Sequence, residues 1–222
     1  MIVAGIDEAG RGPVIGPMVM CALACAKEQE PELKAAGVKD SKLVSPALRN
    51  KLAKLLDETC VFHVEILSAK EITKEMQNKV SLNDVEGNCA AKCLAQLYEK
   101  KAFEIAYVDS PDPVPSTYGK RIARTFKMPD VKVICENKAD FKYVVVGAAS
   151  IIAKEIRENE VKRIQDLVGV NFGSGYPSDP VTKKFVLEHA NDPKVTEHIR
   201  WEWSTVKSLK TQEKSQSKLF EY

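Results

Sequence analysis

The chain has 222 residues, 44% hydrophobic and 29% charged, which excludes disorder throughout and lets a folded core form without a disulfide or metal staple. With 33 Lys and Arg against 31 Asp and Glu, the formal net charge is +2, too near neutrality to imply or to exclude a polyanionic partner. No apolar run reaches the roughly 18 residues of a membrane span. The N-terminal MIVAGIDEAGRG also has carboxylates where a secretory leader has basic residues, so a soluble cytoplasmic chain without a membrane partner is expected.

In chain order, β-rich apolar runs at Ile2 to Ile6, Val14 to Ala26, Cys60 to Leu67, Ile105 to Asp109 and Val131 to Cys135 predict five strands. Ser45-Pro46 has the cap chemistry of a helix start, and Leu48, Leu52, Leu55 and Leu56 form its apolar face. Further helices are expected from about Leu82 to Lys101 and from about Thr117 to Phe126. Another runs from about Asp140 to Leu167, apolar nearly all round in its first half as if buried against a sheet, and one starts at Asp179-Pro180. From Ser204 the chain turns polar and Lys-rich. The six cysteines, at 21, 25, 60, 89, 93 and 135, contain no Cys-x-x-Cys pair and no His at zinc-ligand spacing. Cys89 and Cys93 lie on the stripe Leu82, Val85, Cys89, Cys93, Leu97, which reads as core. His63 shares strand parity with Glu65 and is expected on a solvent-facing side; His189 and His198 receive no role. The pattern is that of a mixed-sheet α/β domain followed by helices and a loose tail.

The informative segment is Gly5-Ile6-Asp7-Glu8-Ala9-Gly10-Arg11-Gly12-Pro13, an apolar strand ending in two adjacent carboxylates and a glycine-rich turn. A P-loop would need Lys and then Ser or Thr where Arg11 and Gly12 stand, and a dinucleotide fingerprint is broken because Gly16 comes one residue late, which removes a nicotinamide-dependent oxidoreductase from consideration. What remains is backbone able to approach a ligand closely, with Arg11 available for a phosphate; a plain turn with solvated charges accounts for this segment equally well. Asp109 closes a predicted central strand, where α/β proteins place their sites, although an Asx turn before Pro111 also explains it. Asp140 opens the long helix, for which a plain N-cap is the simplest single-residue account. Should Asp7, Glu8, Asp109 and Asp140 converge, cations must neutralise them, and an oxygen-only donor set favours two Mg²⁺ or Mn²⁺ ions and phosphoryl transfer, as in a nuclease.

Taken together, GIDEAGRGPVIGP at Gly5 to Pro17, Asp40-Ser41-Lys42, Tyr107-Val108-Asp109, Glu136 to Asp140 (ENKAD), GAASIIAK at Gly147 to Lys154 and GSGYPSDP at Gly173 to Pro180 resemble, in order, the motifs of the type 2 ribonucleases H of the archaeal and eukaryotic-like branch. The resemblance implies a ribonuclease H-like fold, a five-stranded mixed sheet flanked by helices, with a catalytic domain over 1–170, a C-terminal helical extension over 171–207 lining the substrate groove, and a flexible basic tail over 208–222. It implies an endoribonuclease, acting as a monomer in DNA replication and repair, that cuts the RNA strand of RNA/DNA hybrids and single ribonucleotides embedded in duplex DNA, leaving 5′-phosphate and 3′-hydroxyl ends. A non-catalytic hybrid-binding protein of the same fold is the alternative.

Position by position, the family's metal-binding acids fall on Asp7, Glu8, Asp109 and Asp140. Its Gly-Arg-Gly element falls on Gly10, Arg11 and Gly12, whose main chain and guanidinium would meet the ribose 2′-OH and nearby phosphates. Its tyrosine falls on Tyr176, which would pack on the next sugar. Lys42, Ser150 and Lys154 match family positions near phosphates, while the segment around Arg200 and Trp203 matches only loosely. In the tail, the Gln216, Leu219, Tyr222 spacing resembles a sliding-clamp docking peptide, with a solvated terminus as the plain alternative.

Overall fold

The structure, a computed structural model, describes residues 1–38 and 44–209. They group into two compact units, one of Met1–Ala9, Val19–Val38, Val44–Ile66 and Leu82–Arg157, the other of Gly10–Met18, Leu67–Ser81 and Glu158–Leu209. Both units are discontinuous in sequence, and the expected boundary near residue 170 falls inside the second.

The first unit is built on a five-stranded sheet in the order β3-β2-β1-β4-β5, with β1 at Ile2–Ala9, β2 at Met18–Ala26, β3 at Val61–Leu67, β4 at Ile105–Asp109 and β5 at Lys132–Glu136. β1 runs antiparallel to β2 but parallel to β4, and β4 parallel to β5, so the sheet is mixed. β2 is buried along all but its last residue, as a strand covered on both faces must be. One face carries α1 (Glu30–Ala36), α2 (Pro46–Thr59) and the first half of α7 (Val144–Val168), whose Leu33, Leu52, Leu56, Val145, Ala149 and Ile152 join the main core. The other carries α4 (Leu82–Lys100), whose Cys93 thiol reaches the backbone of Met20 and His63, with α5 (Pro115–Thr125) packed beside it.

Several expectations are corrected. β1 does not stop at Ile6, because its pairing with β2 continues to Ala9 opposite Val19, and Asp7 and Glu8 lie inside the strand. β2 does not begin at Val14: Pro17 cannot donate to a ladder and Gly16 takes φ +86°, so the strand starts at Met18. In α2, Leu52 and Leu56 are buried but Leu48 is exposed. His63 is half-buried beneath α4, its Nε2 2.8 Å from Glu65, which in turn accepts from Lys92 of that helix at 2.7 Å. Asp140 is not an N-cap. A short α6 (Ala139–Lys142) starts before it, Lys138 is the capping residue, and Tyr143 turns extended and separates α6 from α7.

The second unit has its own core of Val14, Ile15, Ile164, Phe172, Phe185, Val195 and Ile199. Around it stand α3 (Ala69–Gln77), α8 (Pro180–His189), α9 (Pro193–Thr196) and the end of α7. α8 begins as its Asp-Pro signature requires, Asp179 accepting from Val181 N at 2.9 Å. The loop 10–18 is sewn in by backbone bonds: Val14 N donates to Gly175 O (2.7 Å), Gly16 N to His198 O (2.9 Å) and Arg200 N to Val14 O (2.8 Å). Among the described residues no helix is long and apolar enough to cross a membrane.

Candidate active site

Because β1 and β4 are parallel with Ile6 opposite Val108, Asp7 and Asp109 stand next to each other at the same, C-terminal edge of the sheet. Gly5, two residues earlier, sets what can approach that edge. A Cβ there would lie 2.4 to 2.5 Å from the backbone of Val145 and Val146, so only glycine lets α7 rest directly on β1. The helix thereby presents Ser150, itself buried, as a hydrogen-bond donor to the Asp7 carboxylate.

Asp109 does not close an Asx turn. Its Oδ1 accepts from Ala139 N at 2.6 Å, which ties the start of α6 to the end of β4 and delivers the neighbouring Asp140, also buried, to the same edge. Asp140 Oδ1 accepts from Phe141 N at 3.1 Å, and Asp7 Oδ1 from Glu8 N at 2.8 Å. Asp7 is pushed up to about 7, first by burial and then by the charge of Asp109, with Asp140 adding to the shift; the Ser150 and Glu8 hydrogen bonds oppose it. Three of the four carboxylates are thus in electrostatic contact. Glu8, next along an extended strand, projects to the other face, where buried Tyr118 is raised well above its ordinary value by burial and then by Glu8. Among the described residues, no three His, Cys, Asp or Glu side chains are grouped closely enough to hold an ion as they stand. In donor chemistry the cluster suits a hard divalent cation: every group is a carboxylate oxygen, and the like charges around a buried Asp7 call for a positive counter-charge.

In the second unit, Gly10, Arg11 and Gly12 open the loop, Gly10 at φ +84°. The ring of Tyr176, 43% exposed, lies against Gly12, where a Cβ would come 3.5 Å from its Cε1. The sequence matches the two motifs separately and gives no role to what lies behind them. The Arg200 guanidinium is fully buried and donates to Gly10 O (2.7 Å), Arg11 O (3.0 Å) and Gly16 O (3.0 Å), while Trp203 Nε1 donates to Gly12 O (3.2 Å). No spacing in the sequence links residue 200 to residue 10; the one sequence signal is the loose family match of the segment around Arg200 and Trp203. Lys154 is half-buried, one turn beyond Ser150 on α7. His189 packs its ring against Phe185, and His198 is lowered by burial. Lys42 and the tail residues Gln216, Leu219 and Tyr222 lie outside the described residues.

The sequence profile of the family described as Ribonuclease HII matches residues 4–206. A relative named Ribonuclease HII from Thermofilum pendens is 40% identical over 215 residues, 94% of this chain and 99% of its own. The crystal structure of the ribonuclease H2 from Pyrococcus horikoshii OT3 superposes with a TM-score of 0.86 at 36% identity, covering 96% of this chain and 99% of that one. The ribonuclease HII solved in complex with PCNA from Archaeoglobus fulgidus gives 0.81 at 38% identity, over 92% and 96% of the two chains. A sheet edge gathering three acids, a glycine loop paired with Tyr176, and matches running nearly end to end make one assignment: the chain belongs to the ribonuclease HII family.

Proposed function

We propose that this protein is an endoribonuclease that hydrolyses the RNA strand of RNA/DNA hybrids and cuts at single ribonucleotides embedded in duplex DNA, leaving 5′-phosphate and 3′-hydroxyl ends. The observation that carries the reading is the buried Asp7, set beside Asp109 and Asp140 and raised to about 7 by burial and their charge. Asp7, Asp109 and Asp140, joined at the sheet edge by Glu8 from the opposite face of β1, would hold two divalent ions, Mg²⁺ or Mn²⁺, which when bound supply activation of a water and stabilisation of the departing oxygen. The chain's own residues do the rest. Ser150 orients the Asp7 carboxylate and favours its ionised form. Asp109 holds the turn that carries Asp140. The Gly10-Arg11-Gly12 backbone receives the ribose 2′-OH and an adjoining phosphate, and Tyr176 packs on the following sugar, so that RNA is distinguished from DNA at one nucleotide. Lys42 and Lys154 contribute charge for the phosphate backbone. The tail, through Gln216, Leu219 and Tyr222, docks on a sliding clamp, a reading supported by the PCNA complex of the Archaeoglobus fulgidus relative.

The test is cleavage of a duplex carrying one ribonucleotide, in Mg²⁺ or Mn²⁺, by the native chain and by Asp7→Asn. Asp7→Asn keeps side-chain volume but removes a charged ligand, and a loss of roughly a thousandfold or more in rate is expected. EDTA should stop the native chain. Turnover by the folded, metal-saturated variant at the native rate refutes the carboxylate assignment, and binding without cleavage by the native chain would make it a hybrid-binding module.

A further inference from the structure

Three consecutive carbonyls of the glycine loop, those of Gly10, Arg11 and Gly12, are taken by side chains from a segment almost 190 residues downstream. Arg200 Nη2 donates to Gly10 O and Nη1 to Arg11 O, while Trp203 Nε1 donates to Gly12 O. Arg200 Nε also takes Gly16 O, and the guanidinium lies 4.9 Å from the centre of the Trp203 ring. A trans peptide points its C=O and the following N–H in opposite directions, and no cis bond occurs among the described residues. Fixing the Gly10 and Arg11 carbonyls toward the guanidinium therefore turns the N–H groups of Arg11 and Gly12 the other way, while Pro13 adds no N–H. Gly12 is exposed, and two successive N–H groups turned to one side are an arrangement that can receive an oxygen. The buried positive charge on the carbonyl side also polarises both peptides and strengthens their N–H groups as donors.

From this geometry we infer that Arg200, with Trp203, is a positioning residue for ribonucleotide selection: it presets the Arg11 and Gly12 N–H groups as the donor pair for the 2′-hydroxyl oxygen or its neighbouring phosphate. The inference rests on the proposed function, in which this loop meets the ribose. It demands an arginine specifically. A planar fork reaches three carbonyls at once, whereas a lysine ammonium is a point donor on a flexible stem.

Equilibrium binding decides it, with Asp7→Asn as the reference so that no substrate is cut. Each protein is titrated with a duplex containing one ribonucleotide and with the identical all-DNA duplex, and the ratio of affinities is compared. Arg200→Lys should lower that ratio about tenfold, and Trp203→Phe, which keeps the ring over the guanidinium but removes the bond to Gly12 O, roughly threefold. Affinity for the all-DNA duplex should stay near the reference. Phe185→Leu, in the core of the same unit, is the control for general loosening and should lower the melting temperature with the ratio unchanged. An unchanged ratio in both folded loop variants overturns the inference and leaves the nuclease reading standing, as does an equal fall in Phe185→Leu. A reference chain that never prefers the ribonucleotide overturns the nuclease reading as well.

Discussion

A proton on Asp7 links the chemistry to stability. Its carboxyl titrates near 7 in the fold against 3.8 in an unfolded chain, so between those values the folded state holds a proton that the unfolded state has released. The stabilisation this gives is complete below about pH 4 and is lost as pH rises through about 7. In EDTA, the melting temperature should therefore show an Asp7-dependent fall from acid to neutral pH, absent in Asp7→Asn, which should melt several degrees above the native chain at pH 8. Adding Mg²⁺ or Mn²⁺ should raise the native chain and leave the variant almost unmoved. Parallel melting curves for the two proteins across this range would remove the buried-charge account. Tyr176 belongs to the same scale. With Tyr176→Ala, cleavage at a single embedded ribonucleotide should fall more than cleavage of a continuous hybrid, because a lone 2′-OH allows no alternative register. Equal losses on both substrates would take Tyr176 out of junction recognition.

Among the elements, the contact of α7 with β1 is the least forgiving. Gly5→Ala places a methyl 2.4 Å from the Val145 carbonyl carbon, and backbone cannot step aside as a side-chain end can. The expected loss is about 2–4 kcal/mol, read by urea unfolding, together with a displacement of Ser150 from Asp7. The elements were legible in proportion to how local their signals are. Ser45-Pro46 and Asp179-Pro180 announced α2 and α8, and the Cys89 and Cys93 stripe announced the buried face of α4. α3 was missed although its signature is written out: Ser68 and Glu71 form a reciprocal capping box, with Glu71 N donating to Ser68 Oγ at 3.1 Å and Ser68 N to Glu71 Oε2 at 2.8 Å. The break at Tyr143 carried no such mark. There the chain leaves the helix because Asp109 fixes Ala139 N, and Lys138 before it is held at φ +58°, so tertiary contacts and not propensity decide the turn.

For the whole molecule, a net charge of only +2 leaves the proposed polyelectrolyte interaction to be read from salt dependence. Binding to a hybrid should weaken linearly in a log–log plot against salt, and Lys154→Gln should lower the magnitude of that slope by about 1; a salt-independent affinity would contradict a groove that tracks the phosphate backbone. Calorimetry of the full chain and of a form ending at Ser215 against the sliding clamp of the same organism should show binding only for the full chain, and equal affinities would return the tail to plain solvated chain. At this scale the acids and the glycine loop are legible as candidates because each occupies a motif. Arg200, in a segment that matches only loosely, showed no role because its partners are carbonyls, which every residue has. Its meaning arises only from a hydrogen bond spanning 190 positions.

That span also orders events during synthesis. Residues 10–12 are made about 190 positions before the donors that hold their carbonyls, Arg200 and Trp203. Until then the loop's peptides are free to rotate, and closing so long a separation is a late step in folding. A nascent chain thus carries Asp7, Glu8, Asp109 and Asp140 before Arg200 and Trp203 can fix the peptides of residues 10–12, so the geometry of this loop is set after the acids are already in place.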